Sequence, residues 1–455
     1  MAGTREKTTT KDMTQGSPMK LILGFTLPMI FGFLFQQLYN MADTMIVGRF
    51  LGVNALASVG ATGSVNFCII GFCMGICNGF AIPVAQRFGA KDERGLRRYV
   101  GNSAMLAAIF AVIMAVAAVL CCRPILTAMN TPADIIDGAY DYIVVIFAGI
   151  PATYLYNMLS GYIRSLGDAR TPVVFLTMSS VLNIVLDLVF ILVLHMGVAG
   201  AAWATVTSQA VSGIACLLYM IRHFPMLRLE KEDWKLHAHT AKILCKMGIP
   251  MGLQYSITAI GSVILQVAVN SLGAAYVAAV AAASKIGMLF GCPFDAMGAT
   301  MATYAGQNVG ARKLGRISKG LKSCVVIGAV YSLFALAVVF LLGERIGIPF
   351  IDGGETQILH DIYLYMMMNV VFYFLLALVN IVRFLIQGLG YSMFAILAGV
   401  CEMAARSVVG FLLVPKFGYP AVCLANGLAW IAADLFLIPA YYHVMKKLKV
   451  LFSGV

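Results

Sequence analysis

Long apolar runs divide the chain into twelve segments, which are separated by shorter polar connections. A helix needs about 20 apolar residues to cross roughly 30 Å of hydrocarbon. The runs are continuous and do not alternate with a period of two, so they favour helices over the strands of a barrel. The predicted spans are 18–48, 54–84, 99–122, 139–163, 171–194, 198–222, 240–270, 275–305, 318–342, 358–386, 391–414 and 420–444.

The order of short motifs in the first half of the chain returns in the second half. FLGVNALASVGA (50–61) corresponds to SLGAAYVAAVAA (271–282), and AQRFGAKDERGLRR (85–98) corresponds to GQNVGARKLGRISK (306–319), both 221 residues later. Six spans repeated in the same orientation predict two pseudo-symmetric six-helix bundles, which are a common architecture of secondary transporters. The predicted parts are a tail at 1–17, a lobe at 18–222, a linker at 223–239 and a second lobe at 240–455.

Composition and charge support an all-α polytopic membrane protein. Of the 455 residues, 61% are hydrophobic and 11% are charged, and the net charge is +12. The Lys and Arg residues cluster in the tail, in alternate connections and at the end of the chain, so the positive-inside rule predicts that both termini are cytoplasmic. The positive charge is therefore interpreted as a topology signal and not as a nucleic-acid site. We expect a multi-pass protein of the plasma membrane, in contact with the lipid bilayer, with an uncleaved polar tail.

Polar side chains interrupt two of the predicted spans at helical spacing. In the first span they are Gln36, Tyr39, Asn40 and Asp43, and in the fifth span they are Ser180, Asn183 and Asp187. Residues at i, i+3, i+4 and i+7 lie along one stripe of a helix. An ionisable group in hydrocarbon is costly unless it faces a cavity or a partner, so both acids are candidate functional residues.

The spacing of the turns places the two acids at a similar depth. Asp43 lies about nine residues before the turn at Gly52, and Asp187 lies about nine residues before the turn at 195–197, with Thr205 about nine residues after it. Two carboxylates in one low-dielectric pocket cannot readily both be ionised, so the pair is expected to exchange protons. The alternative is a hard-cation site for Na⁺, built from carboxylate, hydroxyl, amide and carbonyl oxygens.

Three motifs, taken in order with the repeat, resemble one family of membrane proteins. They are YNMADTMIVGR (39–49), PVAQRFGAKD (83–92) and RSLGDARTP (164–172). Together they resemble the MATE family, the multidrug and toxic compound extrusion transporters. The resemblance implies a monomeric secondary transporter that works by alternating access. It implies export of small, amphipathic, cationic molecules in antiport with H⁺ or Na⁺.

The resemblance also implies where the coupling ion binds. Members of the family with an acidic first lobe build the ion site from residues of this kind. In this chain the site corresponds to Asp43, Asn183, Asp187 and Thr205, with the backbone carbonyl of Ala201 as a further ligand. Supporting or substrate-path residues are Gln36, Tyr39, Asn40, Asn157 and Ser180. For Tyr39 and Asn157 the alternative role is to hold helices together.

The second half departs from another branch of the family, which carries acids in its seventh and tenth spans. The corresponding positions here are Thr258 and approximately Leu376, so the resemblance does not extend to ion coupling through the second lobe. Glu402 and Arg406, at i and i+4, are expected to form a structural ion pair. The charged residues in or near the spans of this half are Lys285, Asp295, Arg383, Glu402, Arg406 and Asp434.

Other functions fit the sequence less well. GARKLGRIS (310–318) ends its glycine pattern in Gly-Arg and lacks the Gly-Lys-Ser/Thr of a phosphate loop, so no nucleotide is expected. The motifs H-E-x-x-H and G-x-S-x-G are absent, and the 11 cysteines form no C-x-x-C pair, so we expect neither an enzyme nor a cofactor. The remaining alternatives are a lipid or lipid-linked precursor flippase, which would need a cationic cavity, and a dedicated metabolite exporter.

Overall fold

The structure is a computed structural model that describes residues 10–349 and 355–453. Residues 1–9 of the predicted tail and the last two residues of the predicted second lobe lie outside the described residues. The first-lobe helices are α1 (Pro18–Leu51), α2 (Val53–Gly89), α3 (Glu93–Ala128), α4 (Ile136–Ala148), α5 (Ile150–Ser165), α6 (Arg170–Leu188) and α7 (Gly197–His223). The second-lobe helices are α8 (Ala238–Asn270), α9 (Ala274–Gly310), α10 (Leu314–Leu342), α11 (Thr356–Val370), α12 (Tyr373–Gly388), α13 (Met393–Val408), α14 (Val414–Phe417) and α15 (Tyr419–Ser453).

Within the described ranges, ten helices are long and apolar enough to cross a membrane, and counting each of two bent pairs as one span gives twelve. The bend between α4 and α5 is 46°, and the bend between α11 and α12 is 51°. The predicted spans 139–163 and 358–386 were continuous, so the structure adds a break to each. At the first break Pro151 follows Gly149 and removes a backbone donor. The predicted all-α fold with twelve spans is confirmed.

The predicted repeat is also present in the backbone. Lys91 follows the end of α2 and Arg312 follows the end of α9, and both have a positive φ, of 58° and 56°. Gly52 and Gly273 do the same at the preceding turn, at 88° and 109°. Two π-helical segments occupy equivalent places after α6 and α13, at Val189–Val193 and Val409–Leu413. Equivalent turns therefore recur about 221 residues apart, as the sequence motifs do.

The two lobes meet most closely where α2 crosses α8. A Cβ atom on Gly75 would lie 2.5 Å from the carbonyl oxygen of Met251, and one on Gly79 would lie 2.5 Å from the Cα of Gly248. Only glycine allows two helix backbones to approach in this way. Ile82, Met247 and Met251 bury their side chains beside this crossing.

We call the end of the bundle with the turns at 89–93, 165–170 and 310–314 the tail end, and the opposite end the far end. Side chains join the lobes in the half nearer the tail end: Gln86 Nε2 donates to Gly388 O at 3.0 Å, and the Thr26 and Thr300 hydroxyls lie 2.8 Å apart. Among the described residues, the inter-lobe hydrogen bond closest to the far end is the one that Ser256 donates to Cys68 O, at 3.4 Å. The described hydrogen bonds between the lobes are therefore concentrated toward the tail end.

Candidate functional site

The polar stripe of α1 faces α6 and α7 across a cavity of about 220 Å³ inside the first lobe. Eight of the nine predicted side chains line its wall, and Asp187 does not: the eight are Gln36, Tyr39, Asn40, Asp43, Asn157, Ser180, Asn183 and Thr205. A water molecule takes up about 30 Å³ in the liquid, so the cavity has room for an ion with several waters. It is smaller than the roughly 300–1,000 Å³ of pockets for drug-sized ligands.

Two carboxyl groups meet beside this cavity. Asp187 is fully buried, and its carboxyl group is close enough to that of Asp43 to share a proton. Two ionised carboxylates have no proton to donate, so they cannot satisfy each other. Within the part of the chain that the structure describes, Asp43 Oδ1 and both oxygens of Asp187 accept no hydrogen bond. A proton or a cation placed between them would supply what they lack.

The neighbouring side chains leave further oxygens without a donor. Asn183 Nδ2 donates to the hydroxyl of Thr205 at 3.2 Å, and that hydroxyl donates to the carbonyl of Ala201 at 3.1 Å. Because the amide nitrogen of Asn183 is used in this way, its Oδ1 is left buried, and it has no donor among the described residues. A carbonyl oxygen has two lone pairs, so Ala201 can still accept a second partner. The oxygens of two carboxylates, an amide, a hydroxyl and a carbonyl form a set of ligands suited to a hard cation.

The hydrogen bonds of Tyr39 and Asn157 bear on whether these residues join helices. Asn157 Nδ2 donates to Thr153 O of its own helix at 2.8 Å. In the described ranges, neither side chain forms a hydrogen bond to another helix. The geometry therefore gives no support to the alternative in which these two residues join helices by hydrogen bonds.

Several polar residues of the cavity were not predicted from the sequence, and four of them show why. Thr153 and Gln209 lie one helical turn from Asn157 and Thr205, and the Thr153 hydroxyl donates to Gln209 Oε1 at 2.8 Å. An i, i+4 search from the predicted residues would have found both. Asn66 on α2 and Tyr142 on α4 also line the cavity, and Asn66 Oδ1 is buried without a donor among the described residues. No spacing rule connects these two with α1, because they approach it from other helices.

The second lobe holds a different arrangement of charge. The predicted pair is present, with Arg406 Nη2 at 3.5 Å from Glu402 Oε2, and Arg383 from α12 donates to the other oxygen of Glu402. All three side chains are buried. Asp434 on α15 is also buried, and both its oxygens lack a donor in the described part of the chain.

Lys285 and Asp295 are exposed on α9 and form no ion pair with any described residue. The described residues contain no group of three or more His, Cys, Asp or Glu side chains placed to hold a metal ion.

Comparison with known proteins agrees with this architecture. The MatE family model matches residues 28–189 and again residues 250–412, once in each repeat. The probable multidrug resistance protein YpnP of Bacillus subtilis is 30% identical over 303 residues, covering 66% of this chain and 67% of YpnP. The probable multidrug resistance protein YoeA of the same organism is 24% identical over 99% of this chain and 98% of its own length.

Solved structures show the same fold. A MATE protein crystallised in complex with MaL6 superposes with a TM-score of 0.89 at 24% identity, covering 97% of this chain and 99% of that one. A multidrug resistance MATE transporter of the MOP superfamily, solved in an outward-facing conformation, also gives 0.89, at 23% identity, covering 98% and 100%. This chain is thus a multi-pass transporter of the cell membrane, and it belongs to the MATE family of multidrug and toxic compound extrusion proteins.

Proposed function

We propose that this protein exports amphipathic organic cations in exchange for H⁺ or Na⁺, which binds at Asp43 and Asp187. One observation carries the proposal: buried oxygens of Asp43, Asn183 and Asn66, which line a small cavity, and of the adjacent Asp187 accept no hydrogen bond from any described residue. Buried oxygens that lack a hydrogen-bond donor favour the binding of a proton or a cation.

The position of α1 explains how a bound ion acts on both lobes. The half of α1 near the far end carries Asp43 and lines the cavity of the first lobe. Ile22, Phe25 and Met29, in the other half, belong to the hydrophobic core of the second lobe. A change of charge at Asp43 therefore acts on a helix that is packed into both lobes, and this can bias the equilibrium between two arrangements of the lobes.

The expected cycle is alternating access. The lobes first open toward the cytoplasm and take up the substrate, and then they close at the tail end and open at the far end. H⁺ or Na⁺ enters the Asp43 and Asp187 site and favours release of the substrate. One proton crossing about 100 mV and about one pH unit yields roughly 3.7 kcal/mol, enough for about a 500-fold substrate gradient at 1:1 exchange.

The size of the cavity separates the place of the ion from that of the substrate. A volume of about 220 Å³ suits an ion with waters, whereas a drug-sized molecule needs a larger site, which we place between the lobes. The negative charge of Asp43 attracts cations to the first-lobe side of the substrate path.

A dedicated metabolite exporter is the second candidate, because one relative, 21% identical over 66% of this chain, is an FAD transporter of Shewanella oneidensis. FAD and lipid-linked pyrophosphates are anions. The buried guanidinium groups of Arg383 and Arg406 are both directed to Glu402, so they are not free for such a ligand. The buried acids of the first lobe support cations as the substrates, and Lys285 of α9, which forms no ion pair with any described residue, is the cation left for an anionic ligand.

Efflux of a fluorescent cationic dye from cells that lack their own pumps tests the proposal. Asp43→Asn and Asp187→Asn are each expected to lower efflux at least tenfold under the driving gradient. Asp134→Asn is the matched control, since Asp134 is exposed in the turn before α4, and it should leave efflux unchanged. Imposing a proton or a sodium gradient separately identifies the ion. Undiminished efflux in both acid variants would contradict the proposed coupling site.

A further inference from the structure

The segment that leads into α1, residues 10–17, runs across the tail end of the bundle, and we call it the strap. It is not a loose tail, because Met13 is completely buried and Thr14 is 3% exposed. Met13 belongs to the hydrophobic core of the second lobe, together with Ile22 and Phe25 of α1. The neighbouring Gln15, Gly16 and Ser17 are exposed, so the burial is confined to the middle of the strap.

Side chains of the second lobe hold the backbone of the strap. Arg316 donates to Met13 O at 3.2 Å and to Gly16 O at 2.9 Å, and its Nε donates to Asn308 Oδ1 at 3.1 Å. Asn308 donates to the same carbonyl of Met13 at 3.2 Å, and Lys313 Nζ donates to Thr14 O at 2.9 Å. Hydrogen bonds from charged donors are the stronger kind. The strap is therefore firmly attached to the ends of α9 and α10.

The strap also contacts the first lobe, at the turn between α5 and α6. Lys11 N donates to Leu166 O at 3.0 Å. Gly167 follows with φ +83°, and a Cβ atom there would overlap the carbonyl oxygen of Lys11. Gln307 completes the junction, because its Oε1 accepts from Met13 N at 2.8 Å while its Nε2 donates to Ser165 O at 2.9 Å.

The internal repeat shows that this junction has only partly been duplicated. Gln86 is the counterpart of Gln307, and it donates to Gly388 O as Gln307 donates to Ser165 O. The linker before α8 is the counterpart of the strap, and it is held on α3 by Asn102, which donates to Lys235 O at 3.1 Å and accepts from His237 N at 2.7 Å. Among the described residues, no linker residue forms a hydrogen bond to Gln86 or to the turn at 388–390. Among the described residues, side chains of the second lobe hold the strap against the turn at 165–167 of the first lobe, whereas the linker is held by a side chain of the first lobe.

We propose that the strap is a latch that stabilises the arrangement closed at the tail end, and that it must leave the turn at 165–167 each time this end opens. The proposal rests on the alternating-access function proposed above. The strap has several bonds to the second lobe and few to the first, so it stays with α9 and α10 when the lobes part. Met13 and Gln307 are the positions at which the latch can be weakened without altering the ion site.

A pair of substitutions in the strap provides the test. Met13→Asp places a charge at a fully buried position, which is incompatible with the closed latch. Gln15→Asp introduces the same charge at an exposed position two residues away and serves as the matched control. Arg316→Gln is a second weakening variant, because it removes the guanidinium that bonds Met13, Gly16 and Asn308.

Hydrogen–deuterium exchange of the purified full chain in lipid nanodiscs measures opening at the tail end. We expect Met13→Asp and Arg316→Gln to raise the exchange rate of residues 84–92, 163–168 and 305–313 about tenfold, and Gln15→Asp to match the parent protein. Unchanged exchange in both weakening variants, or equal acceleration in all three, would overturn the latch. The readout is independent of ion coupling, so a failure of the Asp43 and Asp187 proposal in the efflux assay remains distinguishable from it.

Discussion

The carboxyl groups of Asp43 on α1 and Asp187 on α6 face each other closely enough to share a proton, although they are 144 residues apart in the chain. Neither receives a donor at its buried oxygens from the described residues. A buried carboxylate without a donor is costly. We therefore expect the pair to be stable only when a proton or a cation is present, and we expect its occupancy to follow the ion gradient.

Substitution of Thr205 tests whether the oxygens beside the two acids contribute to ion binding. Thr205→Val removes the hydroxyl that links Asn183 to the carbonyl of Ala201. The loss of one or two hydrogen bonds is worth about 1.4 kcal/mol, so we expect a roughly tenfold higher ion concentration for half-maximal efflux. Thr205→Ser keeps the hydroxyl and should behave as the parent protein. A shift in Thr205→Ser as large as that in Thr205→Val would contradict this account, because serine keeps the hydroxyl.

The charge network of the second lobe makes a prediction about stability. Glu402→Gln leaves the buried guanidinium groups of Arg383 and Arg406 without their shared carboxylate. Breaking a buried ion pair on one side typically costs about 3 kcal/mol or more. We expect a loss of this size in the free energy of unfolding, measured by denaturant titration in detergent. Glu344→Gln disrupts the exposed contact with His360 and should cost under about 1 kcal/mol. A smaller loss for Glu402→Gln than for the control would contradict this account.

The glycines at the crossing of α2 and α8 are expected to resist substitution. Gly75→Ala brings a methyl group to 2.5 Å from the carbonyl of Met251 and 2.7 Å from the backbone of Gly252, so the helices must move apart. Overpacking of this kind costs about 2 kcal/mol. Thermal unfolding should therefore begin at a lower temperature. Gly63→Ala, on the same helix with nothing within 4 Å, is the control and should leave the unfolding temperature unchanged or raise it.

Much of the architecture could be predicted from the sequence because membrane spans and repeats are local or periodic signals. The twelve spans follow from the length of apolar runs, and the repeat follows from motifs that return after about 221 residues. The break between α11 and α12 could not be predicted in this way. No proline lies there, and Phe372 instead packs where Gly427 of α15 leaves room for its ring. Such a bend depends on a contact between distant parts of the chain.

The candidate site could likewise be predicted only in part from the sequence. Gln36 to Asp43 and Ser180 to Asp187 were predicted because each set follows one helical stripe. Asn66 and Tyr142 come from helices without such a stripe, so only the packing of α2 and α4 places them at the cavity. The third member of the Glu402 network, Arg383, was missed as a partner for the same reason, because it lies on α12. Which end of the bundle faces the cytoplasm, and where the domains divide, stay predictions.

Counterflow of the coupling ion is the most direct test of the central claim that Asp43 and Asp187 bind it. The purified protein is reconstituted in liposomes, a substrate-cation gradient is imposed, and the movement of H⁺ is followed with a pH-sensitive dye and that of Na⁺ with a radioactive tracer. The account predicts that one of these ions moves against the substrate in the parent protein and in Asp134→Asn. It predicts that this movement is lost in Asp43→Asn and in Asp187→Asn. Undiminished counterflow in either acid variant would contradict it.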